Sequence, residues 1–232
     1  GQRDVFGLAG EIISCKNGTR REAIASTRDR NLPTKVPPWL PRPVEETLEI
    51  YADWASHYDE DLAEAGYDTP RRIAAALKPY VQLNDRILDF GCGTGLSGLA
   101  LQNAGFTNID GLDISAPMLE KARARALYTN LWQGRPGEIT GVTEGQYSVI
   151  IAAGVVSLGA APPETLSLII DHLKPGGVIG LSFNDPTVAH GSYDAVLTTE
   201  INQGRVELMY RENGLHLREP PMGSDVLILR RL

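Results

Sequence analysis

From Val44 onward, Val44, Leu48, Tyr51, Ala55, Tyr58 and Leu62 recur three or four positions apart with acids between them, the spacing of an amphipathic helix. This predicts one helix over 44–62. A second helix is expected from Pro70 to Leu77, with proline in the first turn, where its missing N–H costs nothing. Short apolar runs then alternate with helical stretches. Strands are expected at 86–90, 108–114, 127–133, 147–153 and 178–183, and helices at 95–104, 116–127 and 164–173, with a turn at 174–177. The run from Tyr147 to Ala153, bounded by Gly145 and Gly154, suits a strand buried on both faces. Such alternation means a parallel sheet with helices on both sides. The runs 206–211 and 226–230, separated only by a loop, predict an antiparallel closing pair.

The first 43 residues break this pattern. Pro33, Pro37, Pro38, Pro41 and Pro43 exclude a long helix, so 1–43 reads as an extension and 44–232 as a single domain with an N-terminal lid helix. The extension is basic, with 8 Lys/Arg against 4 Asp/Glu, whereas the remainder carries 14 against 25. An acidic body argues against broad capture of nucleic acid or of an anionic membrane. The apolar stretch around 149–161 is interrupted by Gly154, Ser157 and Gly159, and a spanning helix needs about 20 residues. No basic start with a following apolar run is visible, and Cys15 and Cys92 are too few for a disulfide framework. A reducing, cytoplasmic setting is expected.

The chemistry concentrates in Ile87-Leu88-Asp89-Phe90-Gly91-Cys92-Gly93-Thr94-Gly95, where a strand ends in a glycine loop that turns into a helix. Glycines let the backbone approach a ligand closely, and in an open α/β sheet ligands sit at the carboxyl ends of the strands. Two ligand classes compete. Gly93-Thr94-Gly95-Leu96-Ser97-Gly98 spells the dinucleotide pattern, a weak signal alone. Asp113, 20 residues after Gly93, suits ribose hydroxyls in either class. Asp89 discriminates, because a carboxylate just before the glycines is poorly suited to pyrophosphate and suits a ligand with an ammonium and a sulfonium.

The segment Asp89–Gly95 resembles motif I of the class I S-adenosylmethionine-dependent methyltransferases. Gly111-Leu112-Asp113-Ile114-Ser115, with Met118-Leu119, is similar to their second-strand segment, and Leu173-Lys174-Pro175-Gly176-Gly177 to the turn before their fifth strand. The run Tyr51–Asp59 with Gly66-Tyr67 resembles the Williams–Beuren-region methyltransferase-like subgroup and its bacterial relatives. The resemblance spans roughly 48–183 and implies a Rossmann-like α/β fold: seven strands, mostly parallel, one antiparallel near the C-terminus, helices on both faces. It implies S-adenosylmethionine as cofactor. Gly91, Gly93 and Gly95, with Phe90 and Cys92 between and beside them, would line its methionine part, and Asp89 would sit near its amino group. Asp113 would hold the ribose, with Ile114 and Met118 near the adenine. Ala152 and Ala153 would border the reacting side. Gly134-Arg135 stands where relatives usually carry Gly-Asp, and no histidine follows the fourth strand, where relatives often have one.

Tyr51, Trp54 and Tyr58 share neighbouring helix faces, as core packing or as contacts to cofactor and substrate. His57, Tyr58 and His190, the last expected on a loop rimming the pocket, are candidate general bases. Asp110 and Glu138 are expected to be solvated. The specificity elements 44–62, 154–163 and 184–192 are small, which favours a small-molecule acceptor. A non-catalytic cofactor-binding module and a nicotinamide-dependent oxidoreductase are the alternatives. No metal site is expected.

Overall fold

The computed structural model describes residues 38–232, so most of the basic extension lies outside the described residues. Three helices come first: α1 (Val44–Trp54), α2 (Tyr58–Glu64) and α3 (Thr69–Leu77). The alternating part follows as β1 (Ile87–Phe90), α4 (Leu96–Asn103), β2 (Ile109–Asp113), α5 (Ala116–Ala124), β3 (Asn130–Gln133), β4 (Tyr147–Ala152), α6 (Thr165–His172) and β5 (Leu173–Asn184). The chain closes with α7 (Asp185–His190), α8 (Ser192–Asn202), β6 (Val206–Leu217) and β7 (Met222–Arg231).

The seven strands form one sheet in the order β3-β2-β1-β4-β5-β7-β6. The neighbours from β3 to β5 are parallel, and β7 runs antiparallel to both β5 and β6. The expected mostly parallel sheet with one antiparallel strand is therefore observed. Two apolar cores sandwich it. One gathers Leu88, Ile150, Ile169, Ile170 and Leu197 under α6 and α8; the other gathers Ile73, Leu77, Ile87, Leu101 and Ile151 under α3 and α4. Burying alternate residues of β4 in opposite cores is why that strand is apolar from Val149 to Ala152. Strand order reverses between β1 and β4, and the loops leaving these strands diverge to open a crevice at their carboxyl ends.

The expected single helix over 44–62 is two helices. The chain bends after Trp54, whose indole N–H donates to Asp61 Oδ2 at 2.6 Å, and three acids fill the first turn of α2. The bend folds Trp54 edge-on to Tyr58, with centroids 4.6 Å apart. Helix α8 went unforeseen, and β6 and β7 are longer than expected because their mutual pairing carries polar residues that break no ladder. Asp110 is not solvated. It is fully buried and accepts hydrogen bonds from Arg86, Asn130 and Tyr147. Burial alone would raise its carboxyl, but those three donors hold it below the ordinary value. Residues 38–40 pack onto the domain: Trp39 joins the cluster of Trp54 and Leu62, and a Cβ on Gly159 would strike the Pro38 carbonyl.

Candidate active site

A cleft of about 180 Å³ opens at the carboxyl ends of β1, β2 and β4. Its walls include Tyr51, Tyr58, Phe90, Gly91, Gly93, Asp113, Ile114, Met118, Gly134, Arg135 and Ala153, so most of the expected site residues meet there. A wider groove of about 620 Å³ between α2, α3 and α4 meets neither the glycines nor Asp113.

Two glycines of the loop are required for different reasons. Gly91 has φ +71°, and a Cβ there would lie 2.3 Å from a Val155 methyl; Gly93 has φ +54° and open space where its Cβ would point. The Asp113 carboxylate stitches the two strand ends together, accepting from the Gly93 N–H and the Ser115 N–H at 2.8 Å each. Burial raises its carboxyl while these backbone donors oppose the rise.

Asp89 is fully buried and does not form part of the cleft wall. Oδ2 accepts from Ser97 Oγ at 2.6 Å and from the Tyr128 hydroxyl at 2.7 Å, while Oδ1 has no partner among the described residues. Burial pushes the carboxyl up to about 6 against the pull of Ser97 and Tyr128. The Ser115 hydroxyl, at the cleft, is likewise buried and unpartnered. Unsatisfied buried acceptors of this kind call for a ligand or an ordered water.

Tyr128 explains the third glycine of the dinucleotide-like pattern. A Cβ on Gly98 would lie 2.4 Å from the Tyr128 hydroxyl, and one on Gly111 2.9 Å from its ring. These glycines admit a phenol that holds Asp89, which removes the need for a pyrophosphate to account for them. Nothing in the spacing of Tyr128 pointed to this role.

The aromatic helices are tied to the loop by polar contacts. Thr94 Oγ1 donates to Asp59 Oδ1 at 2.5 Å, and Arg125 pairs with Asp59 while donating to the Thr94 carbonyl at 2.8 Å. Tyr51 and Tyr58 line both the main cleft and a second cavity beside it, whereas Trp54 lines only the second. Cys92 and Ala152 are buried off the cleft, and Gly95 is the left-handed cap of α4. Burial raises the Cys92 thiol, which keeps it protonated and inert.

The structure does not bring the candidate histidines to the site. His57 is an exposed residue bonded to Ser56, and His190 ends α7 rather than lying on a loop, exposed and bonded to Ser192. Neither lines the cleft nor the cavity beside it, so neither is placed to act as a base. Arg135 lines the cleft and pairs with Glu138, which lines it too. Among the described residues no cluster of His, Cys, Asp or Glu has the makings of a metal site, and no helix is long and apolar enough to cross a membrane.

Residues 87–177 match the family described as the methyltransferase domain. Over 142 residues the chain is 34% identical to human methyltransferase-like protein 27, covering 59% of this chain and 57% of that protein. It is 25% identical over 150 residues to the ribosomal protein L11 methyltransferase of Burkholderia thailandensis, covering 63% and 46%. The chain spans about half the length of these relatives. Among solved structures, a chain of the complex between the Haloferax volcanii Trm112 methyltransferase activator and a methyltransferase superposes with TM-score 0.61 at 17% identity, covering 78% of this chain and 95% of that one. An S-adenosylmethionine-dependent methyltransferase from Mesorhizobium loti gives 0.51 at 16%, covering 68% and 96%. Strand order, glycine loop and these matches make residues 87–177 similar to the methyltransferase domain, within a fold shared with S-adenosylmethionine-dependent methyltransferases.

Proposed function

We propose that this protein transfers a methyl group from S-adenosylmethionine to a small-molecule acceptor. The observation that carries the reading is the convergence of the Asp113 carboxylate, the open space at Gly93 and the unpartnered Ser115 hydroxyl on one cleft at the strand-order reversal, with the unpartnered Asp89 Oδ1 buried at the end of the adjoining strand. These residues fit the cofactor: carboxylates for an amino group and a ribose diol, Ile114 and Met118 for adenine, and space beside the glycines for the chain between them. When bound, the cofactor supplies an activated methyl group on a sulfonium.

The protein's part is then alignment and exclusion of water. Asp113 holds the glycine loop and offers its remaining lone pairs to ribose hydroxyls. Tyr128 and Ser97 orient Asp89 so that Oδ1 is left for an ammonium. Tyr51 and Tyr58 close the cleft from the side of α1 and α2, where an aromatic face attracts a sulfonium by about 0.5–2 kcal/mol. Their phenols are pushed up by burial and stay protonated.

Calorimetry with S-adenosylhomocysteine, followed by turnover on small-molecule acceptors, tests the proposal. Micromolar binding with no response to NADH is expected; binding of NADH alone would remove it. A protein acceptor is the second reading, favoured by the likeness to ribosomal protein L11 methyltransferases. Methylation of proteins in a cell extract, with no turnover on small acceptors, would select it.

A further inference from the structure

A second cavity of about 90 Å³ adjoins the cleft and shares Tyr51, Tyr58, Ala153 and Gly154 with it. Its far walls are Trp39, Trp54 and Tyr67, with His216, Asn184 and Ser157 among its polar members, and among the described residues no charged side chain lines it. Resting on the methyl-transfer reading, we propose that this cavity seats the methyl acceptor, that the acceptor is a compact, uncharged, planar ring bearing a hydrogen-bond-accepting atom, and that His216 positions it through Nε2–H.

The charge class follows from solvation. An ion placed where no opposite charge lines the wall would lose its hydration; for a cation the ring faces return only about 0.5–2 kcal/mol of that loss, for an anion nothing, and a neutral counterpart has far less hydration to lose. The shape follows from the walls. Tyr67 stands edge-on to His216 with centroids 5.1 Å apart, and Trp54 stands edge-on to Tyr58, so the slot presents ring faces and edges suited to another ring. The size follows from the volume. At about 10–15 Å³ per water-sized group, the space holds about six to nine such groups, one substituted six-membered ring.

The role of His216 follows from a hydrogen-bonded relay with a fixed end. Arg72 Nη1 donates to Ser224 Oγ at 3.1 Å, and a guanidinium cannot accept. The Ser224 proton therefore goes to Thr69 Oγ1 at 2.9 Å, and the Thr69 proton to His216 Nδ1 at 2.8 Å. With Nδ1 accepting, the ring proton sits on Nε2, which has no protein partner among the described residues. Burial and the nearby Arg72 charge lower the imidazole to about 4, against the pull of Asp185, so it stays neutral. Asn184 is oriented in the same sense. Its Oδ1 accepts from the Thr187 N–H and hydroxyl, which leaves the amide N–H groups as donors. At its His216 and Asn184 end the cavity thus offers donors and asks for an acceptor atom, while the Ser157 hydroxyl spends its proton on the Gly154 carbonyl.

The test is calorimetry on protein saturated with S-adenosylhomocysteine, using phenol and 3-hydroxypyridine as neutral probes and benzylammonium and benzoate as charged ones. The neutral rings should bind at least about tenfold more tightly. His216→Phe should weaken 3-hydroxypyridine about three- to tenfold, the worth of one hydrogen bond, and His216→Gln, which restores a donor, should recover most of it. Thr69→Val should weaken the probe likewise, because it removes the bond that holds the ring's orientation and tautomer, and the lost hydrogen bond to Nδ1 should be visible in that nitrogen's ¹⁵N shift. All three variants should keep the wild-type affinity for S-adenosylhomocysteine. Equal or tighter binding of a charged probe, or neutral binding indifferent to His216→Phe and Thr69→Val, would overturn the assignment while leaving the cofactor reading intact. Failure of wild type to bind S-adenosylhomocysteine would sink the methyl-transfer reading and this site with it.

Discussion

Replacing Asp89 by Asn should stabilise the ligand-free protein at neutral pH and weaken its grip on cofactor. Asp89 is fully buried, with one oxygen held by Ser97 and Tyr128 and the other unpartnered. Burial raises its carboxyl from 3.8 to about 6. In that interval the folded state holds a proton that the unfolded state has lost, so stability is full below about 3.8 and falls as pH rises through about 6. That gap corresponds to about 3 kcal/mol of penalty on the charged form. At about pH 4.5 the penalty is about 1 kcal/mol and near pH 7.5 it is nearly complete, by the same linkage. Asn is never charged. The stability difference between variant and wild type should therefore grow by about 2 kcal/mol between those two conditions, whatever fixed cost the orphaned amide adds. Urea denaturation of both proteins at both pH values measures it. A difference flat with pH would mean that Asp89 titrates as an exposed carboxylate, and the argument from burial would fail. In calorimetry the same variant should bind S-adenosylhomocysteine about tenfold or more weakly, through loss of a charge-assisted hydrogen bond.

Asp113→Ala should lower cofactor affinity about tenfold or more, and also the melting temperature, because Gly93 and Ser115 lose their acceptor; unchanged affinity would refute its assignment to the ribose. Gly91→Ala should unfold or severely destabilise the protein, since its Cβ meets Val155 at 2.3 Å, whereas Gly93→Ala should stay folded and lose S-adenosylhomocysteine binding; circular dichroism with calorimetry separates the two. Arg125→Ala should release Asp59 and Thr94 and speed hydrogen exchange across α2. Exchange across 44–64 should slow when S-adenosylhomocysteine binds, because ligand contacts add to those of the free state; equal exchange would reduce these helices to packing.

The strand–helix alternation, the glycine loop after β1 and the carboxylate at the end of β2 were legible in the chain itself, because each is a local signal. Periodicity reports which face is buried, glycine marks where φ must turn positive, and a parallel sheet follows from the order of the elements. What each buried face meets is not local. Asp89 finds Tyr128 39 residues away, Thr94 finds Asp59 35 residues back, and Thr69 finds His216 at a separation of 147. The same limit misplaced Asp110, an acid in a strand whose three donors come from β3, β4 and the residue before β1. It also favoured His57 and His190, which sit at chain positions near the site yet turn outward, over His216, which β6 carries back across the sheet beside α3. Strand order and the bend after Trp54 decide these meetings, since a polar side chain becomes part of a site only where packing removes its water and leaves it one unmatched direction.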